Sequence, residues 1–565
     1  MKAGEEKFLD IIKNEVQFKI PIYQRLYDWR IEHCQTLIED IERLLRNPKI
    51  PIHFMGSIVY IDEKGQSRIG STKELLVIDG QQRITTFSLI FIILEKFAKD
   101  QGNIELARKI RNTCLENEYS KLENKNKLIL TKRDNEVLER LLRGEDFDYN
   151  DVFNGNTSNL VINYVFLKHE IEKLLKDFSA EQIYENLNRI MVVDVCLFHD
   201  IDNPQQIFES LNATGKSLTD GDLIRNFILM NMTHENQVRI YTSYWYPMES
   251  LLGDYLTYFL TNYLYMKKGT STNIKNLYKE FKTFFYNNYT NETEKLTTEL
   301  LEFSKYYITI RDEKDDNPAV NKALNNLNKL GIYSHYPLTL NLFNEYKEGR
   351  IDTNDFVTII KVMESFLFRR AICNLPTNSL NAIFRTMWNK LDKNNLTSSL
   401  IMELKSGEGN RKWPNDNDFR EVLISNSLYW NSFVNLLLEE LERYNNKEAN
   451  KDFSSLTIEH ILPQTSDDAE KLSDDWKKML GPNYKEIRDT WIHTLGNLTL
   501  TGYNSEYSAK SFEEKKNMTN GFIESGLRLN KQISEYLVWN EESIKDRAKK
   551  LAEIAIERWS FSVGI

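Results

Sequence analysis

The sequence predicts a multidomain, mainly α-helical chain with a small α+β domain at each end and a helical middle. Three observations predict it. Short apolar, β-branched runs bounded by glycine and charged residues recur through the first two hundred residues, as strands should. From about 235 to 450 the pattern is helical and rich in Tyr, Phe and Asn. From Asp452 onward short strand-like runs return, and Glu541–Trp559 reads as an amphipathic closing helix. Boundaries follow at 1–230, 231–450 and 451–565, in keeping with roughly three or four domains for 565 residues.

Element by element, Phe54–Asp62 and Leu75–Ile78 are expected strands, and Thr85–Phe97 carries apolar side chains at helical spacing. Residues 101–185 are charged and helical. Met191–Phe198 (MVVDVCLF) returns as a strand, so the first domain is expected to close near 230. No internal repeat or long low-complexity linker interrupts the chain.

Composition narrows the class. Hydrophobic residues at 41% and charged residues at 28% describe a folded chain rather than a disordered one. The four cysteines, Cys34, Cys114, Cys196 and Cys373, form no CxxC pair, which excludes a zinc ribbon and fits buried thiols in a reducing compartment. The first residues lack the apolar stretch of a signal peptide, and Tyr255–Met266 is too short and polar to span a bilayer. A cytoplasmic protein with no membrane partner is expected. A net charge of −10 speaks against indiscriminate DNA binding, although phosphate contacts need only a local basic surface. Lys125–Lys132, Lys267 with Lys268, and Lys510–Lys516 are such clusters; each also suits a solvated face.

Two N-terminal segments carry chemistry. Ile20-Pro21-Ile22-Tyr23-Gln24-Arg25 precedes Trp29, and Val77-Ile78-Asp79-Gly80-Gln81-Gln82-Arg83 ends a strand and opens a helix. Gly80 permits the tight turn. The helix N-terminus and the Arg83 guanidinium both favour an anion such as phosphate. Asp79 suits a metal or a ribose hydroxyl, and equally a helix cap paired with Arg83. In Phe208–Asn226 the run Gly215-Lys216-Ser217 invites a P-loop reading, which fails because Ser210 stands where glycine is required. Thr219 and Asp222 have capping-box-like spacing. Asn212 and Lys216 are left as loop contacts to phosphate.

At the other end the chain reads Thr457-Ile458-Glu459-His460-Ile461-Leu462-Pro463-Gln464, then Leu495-Gly496-Asn497-Leu498-Thr499-Leu500, then Asn504. An acidic residue beside a histidine, an asparagine on an apolar strand and a second asparagine suit one-metal phosphodiester cleavage. That chemistry needs a hard cation on oxygen ligands and a neutral imidazole to deprotonate water. A Glu-His pair alone is more often solvated or salt-bridged; the ordered companions give it weight.

The Ile-Pro-x-Tyr-Gln-Arg…Trp start, the Asp-Gly-Gln-Gln-Arg turn and the Leu-Asn-x-x-Gly…Asp-Leu-Ile-Arg-Asn block resemble the ParB-like nucleotidase domain of GmrSD-type restriction proteins. The Glu-His-Ile-Leu-Pro-Gln and Leu-Gly-Asn-Leu-Thr-Leu…Asn segments resemble that family's C-terminal HNH nuclease domain, a ββα-metal fold. The resemblance covers about 10–230 and 450–560. It implies a modification-dependent (type IV) DNA endonuclease of prokaryotic antiphage defence, acting for example on glucosylated hydroxymethylcytosine. Cleavage would be controlled by nucleotide binding or hydrolysis (ATP, GTP, UTP or CTP) in the N-terminal domain.

By the same resemblance Glu459 and Asn504 would hold Mg²⁺ or Mn²⁺, His460 would be the general base, and Asn497 would orient it through its side chain or backbone. His493 is a rival base outside the motif. Lys510 or Lys516 would touch DNA phosphate. Tyr23, Gln24, Arg25, Asp79, Gly80, Gln81, Gln82 and Arg83 would face the nucleotide, with Tyr27 and Trp29 as base-stacking or core aromatics. Expected partners are double-stranded DNA, modified phage DNA above all, and a nucleotide, with a homodimer left open. Alternatives with the same architecture are a phosphorothioate-sensing or host-DNA-nicking nuclease; a non-cleaving, nucleotide-dependent DNA-binding regulator is a third.

Overall fold

The structure, a computed structural model, describes residues 1–62, 72–118, 120, 125–148, 151–152, 158–198, 202, 207, 209, 218–230, 232–444, 453–464 and 469–560. The chain is mainly helical and forms two compact units, Met1–Ser250 with Asn276–Thr298, and Leu251–Lys275 with Glu299–Ile565.

The first unit is built on a mixed six-stranded sheet of β1 (Lys2–Lys7), β2 (Val16–Lys19), β3 (His53–Asp62), β4 (Lys73–Asp79), β5 (Leu128–Ile129) and β6 (Ile190–Leu197), in the order β1-β6-β3-β4-β2-β5. The expected strands at 54–62, 75–78 and 191–198 are β3, β4 and β6. β1 was not legible: every residue of Lys-Ala-Gly-Glu-Glu-Lys is exposed, and the strand exists through backbone pairing with β6. A period-2 apolar pattern marks a buried face, and β1 has none.

Helix α1 (Phe8–Lys13) buries Phe8, Leu9, Ile11 and Ile12. Helix α2 (Ile31–Arg46) buries one stripe, Cys34, Leu37, Ile38, Ile41 and Leu44. Helix α3 (Gln81–Asp100) is buried continuously from Ile84 to Glu95, as an all-round apolar helix must be. The antiparallel pairing of β3 with β4 places Val59 opposite Asp79, which brings Gly56 and Ser57 to the β4–α3 turn. Thr219 and Asp222 form the expected reciprocal cap of helix Asp220–Met230, with Asp222 N donating to Thr219 Oγ1 at 3.2 Å and Thr219 Oγ1 to Asp222 Oδ2 at 2.8 Å.

Among its described residues the second unit is helical apart from the antiparallel pair β7 (Thr457–His460) and β8 (Leu498–Thr501). Its C-terminal core gathers Trp476, Phe512, Phe522, Trp539 and Ile544. The closing helix, Glu541–Arg558, crosses the Leu495–Asn497 turn so closely that a Cβ on Gly496 would meet Ile544 O at 2.2 Å. Buried Arg547 donates through Nη1 to the carbonyls of Gly496 and Leu498, both at 2.8 Å. Cys34 and Cys114 are buried, Cys196 and Cys373 half-buried, and all four are free thiols. Among the described residues no helix is long and apolar enough to cross a membrane.

Candidate functional site

At the end of β4, Gly80 turns with φ +92° and α3 begins. Only glycine suits the position, since a Cβ would lie 3.0 Å from Ser57 O in a left-handed conformation. Gly56, at φ +100°, lets the Arg83 guanidinium lie against the β3 backbone. Arg83 Nη1 donates to Ser57 O at 2.9 Å and stands 3.9 Å from Asp79 Oδ2. Asp79 and Arg83 both keep about a third of their side-chain surface in solvent, at 32% and 28%. They are the charged groups of the turn, and both reach solvent.

The other residues singled out here mainly hold the turn. Gln82 Oε1 accepts from Asp28 N at 2.8 Å and Trp29 N at 3.1 Å. Gln24 Nε2 donates to Ile78 O at 3.1 Å. Tyr23 is buried, and its carbonyl accepts from Arg225 Nε at 2.8 Å, with the Arg225 guanidinium fixed by Asp222 and Glu249. The Tyr23–Arg25 loop thus meets both the Asp79–Arg83 turn and the Asp220–Met230 helix. Arg25 pairs with Asp28 at 3.2 Å. Arg25 Nε and Gln81 Oε1 are buried without a hydrogen-bond partner among the described residues. Tyr27 is a core residue whose hydroxyl bonds Thr86 at 2.7 Å and Asn163 at 3.2 Å; Trp29 also packs on the core, over His33. Asn212 and Lys216 lie outside the described residues.

The C-terminal cluster forms around β7. Asn497, fully buried just ahead of β8, accepts from Leu462 N at 2.8 Å and Trp539 Nε1 at 3.1 Å, and donates to Leu462 O at 3.0 Å and Ile492 O at 2.9 Å. Its own carbonyl accepts from Ile461 N at 3.0 Å. The asparagine therefore fixes the turn immediately after His460 and makes no side-chain bond to the imidazole. Asn504 opens the short helix Asn504–Tyr507 and donates to Ile458 O at 2.9 Å.

Glu459 and His460 are both buried, 3% and 6% exposed, and their environments differ. Glu459 Oε1 is 2.5 Å from the ammonium of Lys515, a side chain with no exposed surface, which also donates to His460 O at 2.9 Å and Ile461 O at 3.2 Å. Burial pushes the Glu459 carboxyl upward and the Lys515 ammonium downward, and in each case the partner's charge opposes the shift. His460 Nε2 lies 3.1 Å from His493 Nδ1, and the two rings contact Tyr429, which stacks on His493 at 5.3 Å. Burial, then the charges of His493 and Lys515, push His460 down to about 3. It stays a neutral imidazole with a lone pair to offer. Trp430, 71% exposed, lies 5.8 Å from His493.

As folded, these residues do not fit a divalent metal. The one buried carboxylate is committed to Lys515, and no group of three His, Cys, Asp or Glu among the described residues could hold an ion. Lys510 Nζ donates to Glu506 O and Lys516 Nζ to Tyr536 O at 3.0 Å. Lys510 also lines an open surface cavity of about 820 Å³ with Ser505, Glu506 and Met518.

Sequence reasoning missed Gly56, Ser57, Lys515, Tyr429 and Trp430. A glycine inside an apolar strand pattern is the signal that could have flagged Gly56. Phe512 and Lys515 are spaced i, i+3, which puts the lysine on the apolar face of its helix. Against known families, residues 6–229 match the GmrSD restriction endonuclease N-terminal domain and residues 413–554 the GmrSD restriction endonuclease C-terminal domain. The two matches together cover more than half of the chain. No curated protein matches it.

Proposed function

The chain belongs to the GmrSD restriction endonuclease family, and from that premise we propose that it cuts modified foreign DNA, such as DNA carrying glucosylated hydroxymethylcytosine, under nucleoside-triphosphate control. Residues 1–230 sense nucleotide, 231–450 connect, and 451–565 cleave. The observation that carries the reading is the buried His460, beside Glu459 at the end of β7 with its following turn clamped by Asn497.

Its lone pair takes a proton from water, and the water oxygen attacks phosphorus as the bond to the leaving oxygen breaks. A positioned base of this kind contributes on the order of 10²–10⁴-fold. The family implies a divalent cation, but in the folded chain Lys515 is the cationic partner of Glu459 and the Asn504 amide donates to Ile458 O. At the other site Asp79 and Arg83 meet the phosphates, with Gln81 Oε1 and Arg25 Nε as buried polar atoms without a partner among the described residues.

The test is cleavage of unmodified, glucosyl-hydroxymethylcytosine and phosphorothioate DNA by wild type, His460→Ala and Arg83→Ala, with and without NTP. Cutting confined to the glucosylated DNA, lost in His460→Ala, is the expected result, with Arg83→Ala impaired in nucleotide turnover. Loss of nucleotide turnover in His460→Ala as well would sink the two-site assignment. Cutting of plain DNA alone would favour a host-nicking nuclease.

A further inference from the structure

The resemblance gives the task of orienting His460 to Asn497, by side chain or backbone; the Asn497 side chain bonds Leu462, Ile492 and Trp539. Among the described residues, the side chain that meets a His460 ring nitrogen is His493, through Nδ1 to Nε2 at 3.1 Å. His493 is itself held firmly. Its carbonyl accepts from Leu428 N at 2.8 Å and Tyr429 N at 3.2 Å, and its ring stacks on Tyr429 with planes 16° apart.

The geometry points to His493 as the positioning residue of the cleavage site: it accepts a hydrogen bond from His460 Nε2–H and so leaves the other ring nitrogen of His460 as the base. This rests on the reading of His460 as the base. With both rings neutral, the facing nitrogens share one proton, so that one donates and the other accepts. Were His493 the donor, the Nε2 lone pair of His460 would be consumed and its Nδ1 would carry the proton, leaving no base. Only the opposite direction is compatible with catalysis. The same bond then serves the next moment of the reaction. When His460 has taken the proton from water, its Nε2–H still faces the accepting Nδ1 of His493, which stabilises the imidazolium. The hydroxide oxygen bonds to phosphorus, and the leaving oxygen departs with the electron pair and is protonated by solvent. His493 thus selects the tautomer, as a third group orients the base in catalytic triads.

Two variants separate positioning from mere packing. His493→Phe keeps a ring against Tyr429 and removes the acceptor, whereas His493→Asn places an amide oxygen near the Nδ1 position. Full-length chains carrying ¹⁵N-imidazole histidine would be compared by NMR, with His460→Gln assigning the His460 signal. The expected result is the Nε2–H tautomer of His460 in wild type and His493→Asn, and loss of that preference in His493→Phe. On the three DNAs above, His493→Phe should lower kcat about 10- to 100-fold at unchanged KM, with most of the loss recovered in His493→Asn. An Nδ1–H tautomer in wild type, or wild-type kcat in His493→Phe while His460→Ala is inactive, overturns the assignment of His493 alone. Full activity in His460→Ala instead overturns the base reading. If wild type cuts none of the DNAs, the nuclease reading fails, and the tautomer signal still decides the pairing.

Discussion

Replacing Lys515 with Met tests what Glu459 does in the folded chain. The ammonium has no exposed surface and three acceptors, the Glu459 carboxylate at 2.5 Å and the carbonyls of His460 and Ile461 at 2.9 and 3.2 Å. Lys515→Met keeps the volume and removes all three bonds. Breaking a buried ion pair from one side costs about 3–5 kcal/mol, because the remaining charge is left uncompensated. Each abandoned buried carbonyl adds about 1–3 kcal/mol unless water reaches it. A local loss of at least about 5 kcal/mol is therefore expected, enough to open much of this region. Because the chain has two compact units, a single global unfolding energy is poorly defined, and the readout is hydrogen exchange at β7 and helix Phe512–Asn517. Glu459→Met should cost a similar amount, and the double variant clearly less than the sum, since two apolar side chains then replace the pair. If Lys515→Met changes protection by under about 0.5 kcal/mol, or if the two costs simply add, the pair does not hold this fold together.

Three more outcomes are expected. Gly80→Ala forces a Cβ to within 3.0 Å of Ser57 O at φ +92°, so about 1–2 kcal/mol should be lost and nucleotide turnover should fall; unchanged melting and turnover would remove the steric argument. Asn497→Ala strips partners from Leu462 N, Leu462 O, Ile492 O and Trp539 Nε1; a loss of about 3–5 kcal/mol and of cleavage is expected, and a stable, active variant would falsify the clamp. His335 is fully buried and pushed down to about 3 from an ordinary 6.5 by burial alone. Between those values the unfolded imidazole takes up a proton that the folded one refuses. The His335 contribution to stability is thus constant above pH 6.5 and falls as pH drops toward 3, at up to about 1.4 kcal/mol per pH unit. Denaturant titrations of His335→Leu should show a shallower acid limb than wild type, and identical limbs would exclude His335 as their source.

Local sequence determined a good deal of this protein. Gly80 after an apolar strand and before an apolar helix specifies the β4–α3 turn, because only glycine takes its backbone angle there. Thr219 and Asp222 specify their helix start through bonds three residues apart. The family could be read from the ordered motifs at both ends, and both were matched. Tertiary structure decided the partners. Glu459 faces Lys515 across 56 residues of chain, His460 faces His493 across 33, and Asn497 holds Leu462 across 35. Such pairings depend on where β7, β8 and the closing helices come to rest, and no local periodicity encodes them. Which residues bear charge, hold a turn or reach solvent is settled only when the core closes and removes water, since burial turns a neutral histidine, a committed carboxylate and an internal ammonium into different chemical agents.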